Sequence, residues 1–236
     1  MALKLEKTLG ILGGMGPAAT AEFLRLLAQD VPAQCDQEHP RVLLLSEPAT
    51  PDRSRAIRGE GEDPTPLLRR GVERLIEWGA EVLAVPCNTA HFFIDRFRQN
   101  LTVPLIHIVE ATVNQAKKRS DGGAWLLSTC GTRQSGLYAE YAHRVGYRFL
   151  DPTDEEQERV QQSLTYVKAG RISEAGVVLR EVIEALWKRN DTLIVTACTE
   201  LPLAYASSGL PPEKEISSLQ ALSAGCVEFL YPSTLS

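Results

Sequence analysis

Cys87 and Cys198 occupy matching places in two halves of the chain that echo each other. The first lies in Val82-Leu83-Ala84-Val85-Pro86-Cys87-Asn88-Thr89, the second in Leu193-Ile194-Val195-Thr196-Ala197-Cys198-Thr199-Glu200. Each thiol follows a short apolar run and precedes small polar residues, a pattern that predicts a thiol at the C-terminal end of a buried strand. A helix-like stretch with a tryptophan near its end precedes each strand, Leu75 to Trp78 in one half and Ile183 to Trp187 in the other. Two related half-domains facing each other would set one thiol on each side of a shared cleft. There a thiolate can take a proton while the opposite thiol returns one, the roles exchanging in reverse. A free cysteine ionises near pH 8.5, roughly, so such a site must help the thiolate form. Asn88, Thr89 and Thr199 fall at predicted helix starts, where backbone N–H groups and hydroxyls can stabilise a thiolate or a carboxylate. His91, four residues beyond Cys87, is expected to add charge.

The elements that must position these residues alternate in type. Thr8 to Leu12 reads as a buried strand, Gly13 to Pro17 as its exit turn, and the residues through Phe23, Leu26 and Leu27 as a helix with Pro17 at its first position. Val42 to Leu45 is a second strand, followed by a long loop from Ala49 to Pro66, and a loop of that length is usually functional. A helix over about 66–78 leads to the Cys87 strand, a helix through Phe92, Phe93 and Phe97 follows, and Val103 to Ile108 reads as the next strand. Ala124 to Ser128 opens the second half as Ile11 and Leu12 open the first, again with a small-residue turn, Thr129 to Thr132. Helical periodicity over 154–169 and 172–189, separated by Gly170, precedes the Cys198 strand. Such alternation predicts an α/β fold of two pseudo-symmetric lobes, each a parallel sheet flanked by helices, with the active site in the cleft beyond the strand ends. The expected lobes are 1–112 and 113–212, the first completed by the C-terminal helix 213–236.

With 236 residues and a net charge of −5, the chain is long enough for two lobes and has no Lys/Arg-rich block. Phosphate neutralisation needs a concentrated basic face, so no nucleic-acid partner is expected. No apolar stretch has signal-peptide or membrane-spanning length, so no membrane partner and a cytoplasmic location are expected. Five scattered cysteines, Cys35, Cys87, Cys130, Cys198 and Cys226, suit free thiols in a reducing compartment. Cys87 and His91 lack the companions of a usual metal set, so no metal is expected. Gly14 to Ala19 also fits the loose G-x-G-x-x-A fingerprint, with Glu47 ending a later strand, which makes a NAD(P)-binding oxidoreductase the alternative of another class. That fingerprint gives no reason for paired thiols, and the acidic residue lies further along than it requires.

Taken together, Gly10-Ile11-Leu12-Gly13-Gly14-Met15-Gly16-Pro17, Pro86-Cys87-Asn88-Thr89-Ala90-His91 and Cys198-Thr199-Glu200-Leu201-Pro202-Leu203 resemble the aspartate/glutamate racemase family, in its aspartate racemase branch. Pro51-Asp52-Arg53, Thr129 with Gly131-Thr132, Ser135-Gly136-Leu137-Tyr138 and Lys168-Ala169-Gly170 match further motifs in order. The resemblance implies a cofactor-independent amino-acid racemase, a homodimer, with Cys87 and Cys198 as acid and base. A small dicarboxylic amino acid, most simply aspartate, is the implied substrate. It further implies substrate contacts from Met15, Arg53, Asn88, Thr89, Thr129, Thr132, Lys168, Thr199 and Glu200. Arg53 and Lys168 are the cations for a second carboxylate. Glutamate or a broad set of amino acids, isomerisation of maleate, decarboxylation of an arylmalonate, and an inactive amino-acid-binding protein are the alternatives within this resemblance. Two positions depart from the family pattern. Ala197 stands where a glycine is usual, which is expected to narrow the pocket, and Ser217 stands where an aspartate is common.

Overall fold

The computed structural model describes residues 7–232. The first lobe runs β1 (Thr8–Gly13), α1 (Pro17–Asp30), β2 (Arg41–Ser46), α2 (Arg53–Ile57), α3 (Thr65–Glu77), β3 (Val82–Ala84), α4 (His91–Ile94) and β4 (Leu105–Ile106). After α5 (Ile108–Arg119) come β5 (Ala124–Ser128), α6 (Cys130–Ser135), α7 (Leu137–Arg144), β6 (Phe149–Leu150), α8 (Asp154–Lys168), α9 (Ile172–Arg189) and β7 (Ile194–Ala197). The chain closes with α10 (Leu201–Ser208), β8 (Glu215–Ser217) and α11 (Ser218–Leu230). Two four-stranded sheets result, in the orders β2-β1-β3-β4 and β6-β5-β7-β8, and every strand pairing is parallel. Numbered within its own half, each sheet has the same second-first-third-fourth order, so the sequence echo is an echo of topology.

The central strands are buried on both faces, and alternate side chains enter different cores with the period of the pleat. Leu9, Ile11, Val82 and Ala84 point into one core and Leu12, Leu83 and Val85 into another, against Leu68, Val72 and Leu75 of α3. In the second sheet Ala124, Leu126, Val195 and Ala197 join the first of these cores, while Trp125, Leu127 and Ile194 face Leu164, Leu179 and Ile183. The inner faces of both sheets therefore share one core. Two helices stitch it. α5 follows the first sheet's last strand and packs on α7, β7 and β8, and α11 follows the second sheet's last strand and packs on α1, α5 and β4. The 112/113 boundary falls inside unbroken α5, and of the segment 213–236 residues 215–217 form the edge strand of the second sheet, with the helix beginning only at Ser218.

Local chemistry explains the helix limits. Pro17 fixes the first turn of α1, and the Thr153/Glu156 capping box starts α8 by satisfying orphan N–H groups in both directions. The long loop differs from expectation in containing α2, whose N-terminus Asp52 caps by accepting from the Arg55 N–H at 2.8 Å. The helix expected through Phe97 stops at Ile94, and the chain passes through a 3₁₀ turn at Arg98–Asn100 before reaching a strand of two residues. Among the described residues no helix is long and apolar enough to cross a membrane.

Candidate active site between the lobes

The strand ends of the two sheets converge on a small cavity of about 20 Å³, partly open to solvent, lined by Cys87, Asn88 and Thr89 from one lobe and Thr129, Lys168, Cys198, Thr199 and Glu200 from the other. Met15, Asp52, Arg53 and Ser54 complete the wall. Each cysteine is 5 % exposed. They reach the cavity by equivalent routes, Cys198 directly after β7 and Cys87 three residues after β3. Every residue expected as acid, base or substrate contact lines it except Thr132. That side chain lies one layer behind, where its hydroxyl meets those of Thr89 at 2.8 Å and Thr129 at 3.0 Å. Because Thr89 and Thr132 belong to different lobes, this hydroxyl cluster also joins the lobes.

The two thiols differ in setting. Cys198 donates to Glu200 Oε2 at 3.1 Å, and Thr199 Oγ1 donates to the same oxygen at 3.2 Å. Burial and the negative charge of Glu200 push the Cys198 pKa well up, with the Glu200 N–H and the distant charge of Lys168 opposing. Cys198 is therefore held as a thiol. Among the described residues no carboxylate is hydrogen-bonded to Cys87. The backbone N–H groups of Asn88, Thr89 and Thr199 have no protein acceptor among the described residues and lie where the cavity wall is built. Such N–H groups suit an anion.

The cations are held in different ways. Arg53 Nη1 donates to the carbonyls of Thr50 and Pro51, both at 3.0 Å, and Nη2 to that of Met15 at 3.4 Å, while its buried Nε has no partner. Carbonyls fix the guanidinium without neutralising it. Lys168 ends α8 and forms no ion pair within the described residues. Asp52 stands near both: burial opposes its ionisation, but the Arg55 N–H, Arg53 and Lys168 outweigh burial and keep its carboxyl below the usual range. Glu200 Oε1 backs onto the glycine turn, 3.1 Å from where a Gly16 Cβ would lie. A carboxylate at that point opposes the pyrophosphate that a dinucleotide fingerprint would need there.

Three sequence expectations change. His91 adds no charge to the site: it is fully buried, its Nδ1–H donates to the Cys87 carbonyl at 2.9 Å, and burial together with neighbouring His107 lowers its pKa well below the usual value. The Asn88 side chain is already engaged, accepting from Tyr138 Oη at 2.6 Å and donating to Ser218 Oγ at 2.9 Å. Ala197 packs into the shared core and does not line the cavity, so its methyl group does not narrow it. Ser217 keeps a capping role at α11, accepting from the Gln220 N–H at 3.3 Å. Sequence reasoning missed Asp52 and Ser54 as wall residues, although Asp52 stands in the motif that pointed to Arg53 and Ser54 directly follows it. Among the described residues no three His, Cys, Asp or Glu side chains cluster so as to hold a metal.

Residues 12–222 match the family described as Asp/Glu/Hydantoin racemase. The aspartate racemase of Picrophilus torridus superposes with a TM-score of 0.78 at 29 % identity, covering 94 % of this chain and 93 % of that one. A putative Asp/Glu racemase from Yersinia pestis gives 0.75 at 25 % identity over 95 % and 99 % of the two chains. In sequence, the broad specificity amino-acid racemase RacX of Bacillus subtilis is 28 % identical over 201 residues, 82 % of this chain and 85 % of that protein. With the doubled fold and its cleft matched along nearly the whole length, the chain belongs to the Asp/Glu/Hydantoin racemase family and is an isomerase of that family's amino-acid-racemising kind.

Proposed function

We propose that the protein interconverts the enantiomers of a dicarboxylic amino acid, aspartate foremost, by proton exchange between Cys87 and Cys198 on opposite faces of the α-carbon. The observation that carries this reading is that thiols from equivalent strand ends of two related lobes line one small cavity. In the forward direction Cys87, as thiolate, takes the α-proton while Cys198 gives its thiol proton to the opposite face. One C–H bond breaks, one forms, and the charge moves from one sulfur to the other. The reverse reaction restores the starting state: Cys198, as thiolate, takes the α-proton of the other enantiomer while Cys87 gives its own thiol proton to the opposite face.

The α-proton of an amino acid is a weak acid, so the developing enolate charge must be met by fixed donors. The free N–H groups of Asn88, Thr89 and Thr199 and the hydroxyls of Thr89 and Thr129 are assigned to the α-carboxylate. The side-chain carboxylate is assigned to Arg53 Nε and Lys168, one a directional donor and the other a point charge. A second reading, broader specificity, is favoured by Asp52, whose carboxylate beside these cations offsets their charge; RacX, similar in sequence, is named for broad specificity. Family membership and the free thiols support a homodimer acting in the cytoplasm.

Proton NMR in deuterium oxide with L- and D-aspartate, without added cofactor, tests the reading. Loss of the α-proton signal with inversion is expected from either enantiomer, and an inert α-position across the common amino acids would overturn it. Faster turnover of alanine than of aspartate would favour the broader reading.

A further inference from the structure

Tyr138 has no part in the chemistry above, yet its hydroxyl sits where the two lobes meet beside the thiols. It is 1 % exposed, projects from α7, and donates to Asn88 Oδ1 at 2.6 Å. Asn88 directly follows Cys87, and its Nδ2 donates to Ser218 Oγ, a side chain with no exposed surface. Ser218 follows Ser217, which pairs in register with Thr196 of β7, two residues before Cys198.

A chain of contacts thus runs from one thiol to the other: Cys87, Asn88, Ser218, the β8–β7 pairing, Cys198. Tyr138 clamps its midpoint from the second lobe. An amide fixed at both ends by buried partners cannot rotate, so the backbone carrying Cys87 has one position relative to the opposite sheet. Resting on the racemase reading, we propose that Tyr138 is a positioning residue which, through Asn88, sets the span between Cys87 and Cys198. It touches no substrate. Its effect falls first on proton transfer, which requires both sulfurs within reach of one carbon; of the groups assigned to binding, Arg53, Lys168 and the Thr199 N–H are held independently of Asn88.

The test is Tyr138→Phe, which keeps the ring in the core and removes only the hydroxyl. With aspartate, kcat is expected to fall about tenfold to a hundredfold while KM stays within about twofold, because small misplacements of reacting groups cost rate steeply. In deuterium oxide the ratio of α-proton exchange without inversion to inversion is expected to rise, since one thiol still reaches the carbon and its partner does not. Ser218→Ala, which frees the other end of the amide, is expected to act in the same direction and serves if Tyr138→Phe does not fold. In labelled protein the Asn88 side-chain amide should exchange with solvent at least about tenfold faster in either variant. Parent-like kcat and exchange ratio in a folded variant of a protein that does racemise would overturn this proposal alone. A parent inert toward the common amino acids would overturn the racemase reading and this one together.

Discussion

Glu215 offers a stability prediction that follows from the fold and is independent of the reaction. Its carboxyl lies on β8, largely buried, where Thr196 Oγ1 donates to it at 2.7 Å. Burial raises its pKa from the ordinary 4.5 to about 7, the Thr196 bond and the charge of Arg119 opposing. The folded chain therefore binds this proton more tightly than the unfolded chain. Stability associated with it is complete below about pH 4.5 and is lost as pH rises to about 7, after which the loss is constant. The interval corresponds to about 3 kcal/mol. Glu215→Gln keeps an acceptor for Thr196 and cannot ionise, so at pH 8 it should exceed the parent by up to about 3 kcal/mol, and at pH 4.5 the two should agree. For a chain of this length that is about 6–12 °C in Tm. Thermal unfolding of both proteins from pH 4.5 to 8.5, followed by circular dichroism, gives the answer. Parallel pH profiles, or a variant less stable than the parent at pH 8, would refute the assignment of a buried, late-titrating carboxyl at this position.

The remaining predictions concern the cleft. Gly131→Ala would place a Cβ 2.6 Å from Ser54 Cα, closer than packed atoms allow, so α2 and Arg53 must shift. Loss of about tenfold or more in kcat/KM is expected, and parent-like kinetics would show that α2 does not shape the site. Arg53→Ala should raise KM for aspartate by about tenfold to a hundredfold, the worth of a charge-assisted hydrogen bond, with a smaller effect on alanine; equal effects on both would remove Arg53 from side-chain recognition. Glu200→Gln removes the negative charge beside Cys198, so iodoacetamide should alkylate Cys198 faster at pH 8 than in the parent, as mapped by mass spectrometry. An unchanged rate would mean that Glu200 does not hold that proton.

Much of this architecture is legible in the residues because it is local. The apolar runs at Leu9, Val82, Leu126 and Val195 mark strands buried on both faces, and the small polar residues after them mark the ends where ligands gather. The doubling of Cys87 and Cys198 is legible for the same reason. What escapes is set by contacts across the chain. Asn88 reads as a free substrate contact until Tyr138 and Ser218, 50 and 130 residues away, arrive on its amide. His91 reads as a cation until its burial against His107 is seen. Helix α2 escapes because five residues are too few for a periodic signal, and its cap, Asp52, looks like any loop acid. The helix expected through Phe97 fails because its aromatic spacing reports burial, not helix: Phe97 stays in the same core as Phe93 although the helix ends at Ile94.

The most direct test takes Cys87→Ser and Cys198→Ser, each offered L- and D-aspartate in deuterium oxide. With one sulfur on each face, neither variant should invert either enantiomer at more than about a thousandth of the parent rate, and any residual α-exchange should favour opposite enantiomers in the two variants. Inversion at the parent rate by either variant, or residual exchange with the same handedness in both, would contradict a carbon held between the two thiols.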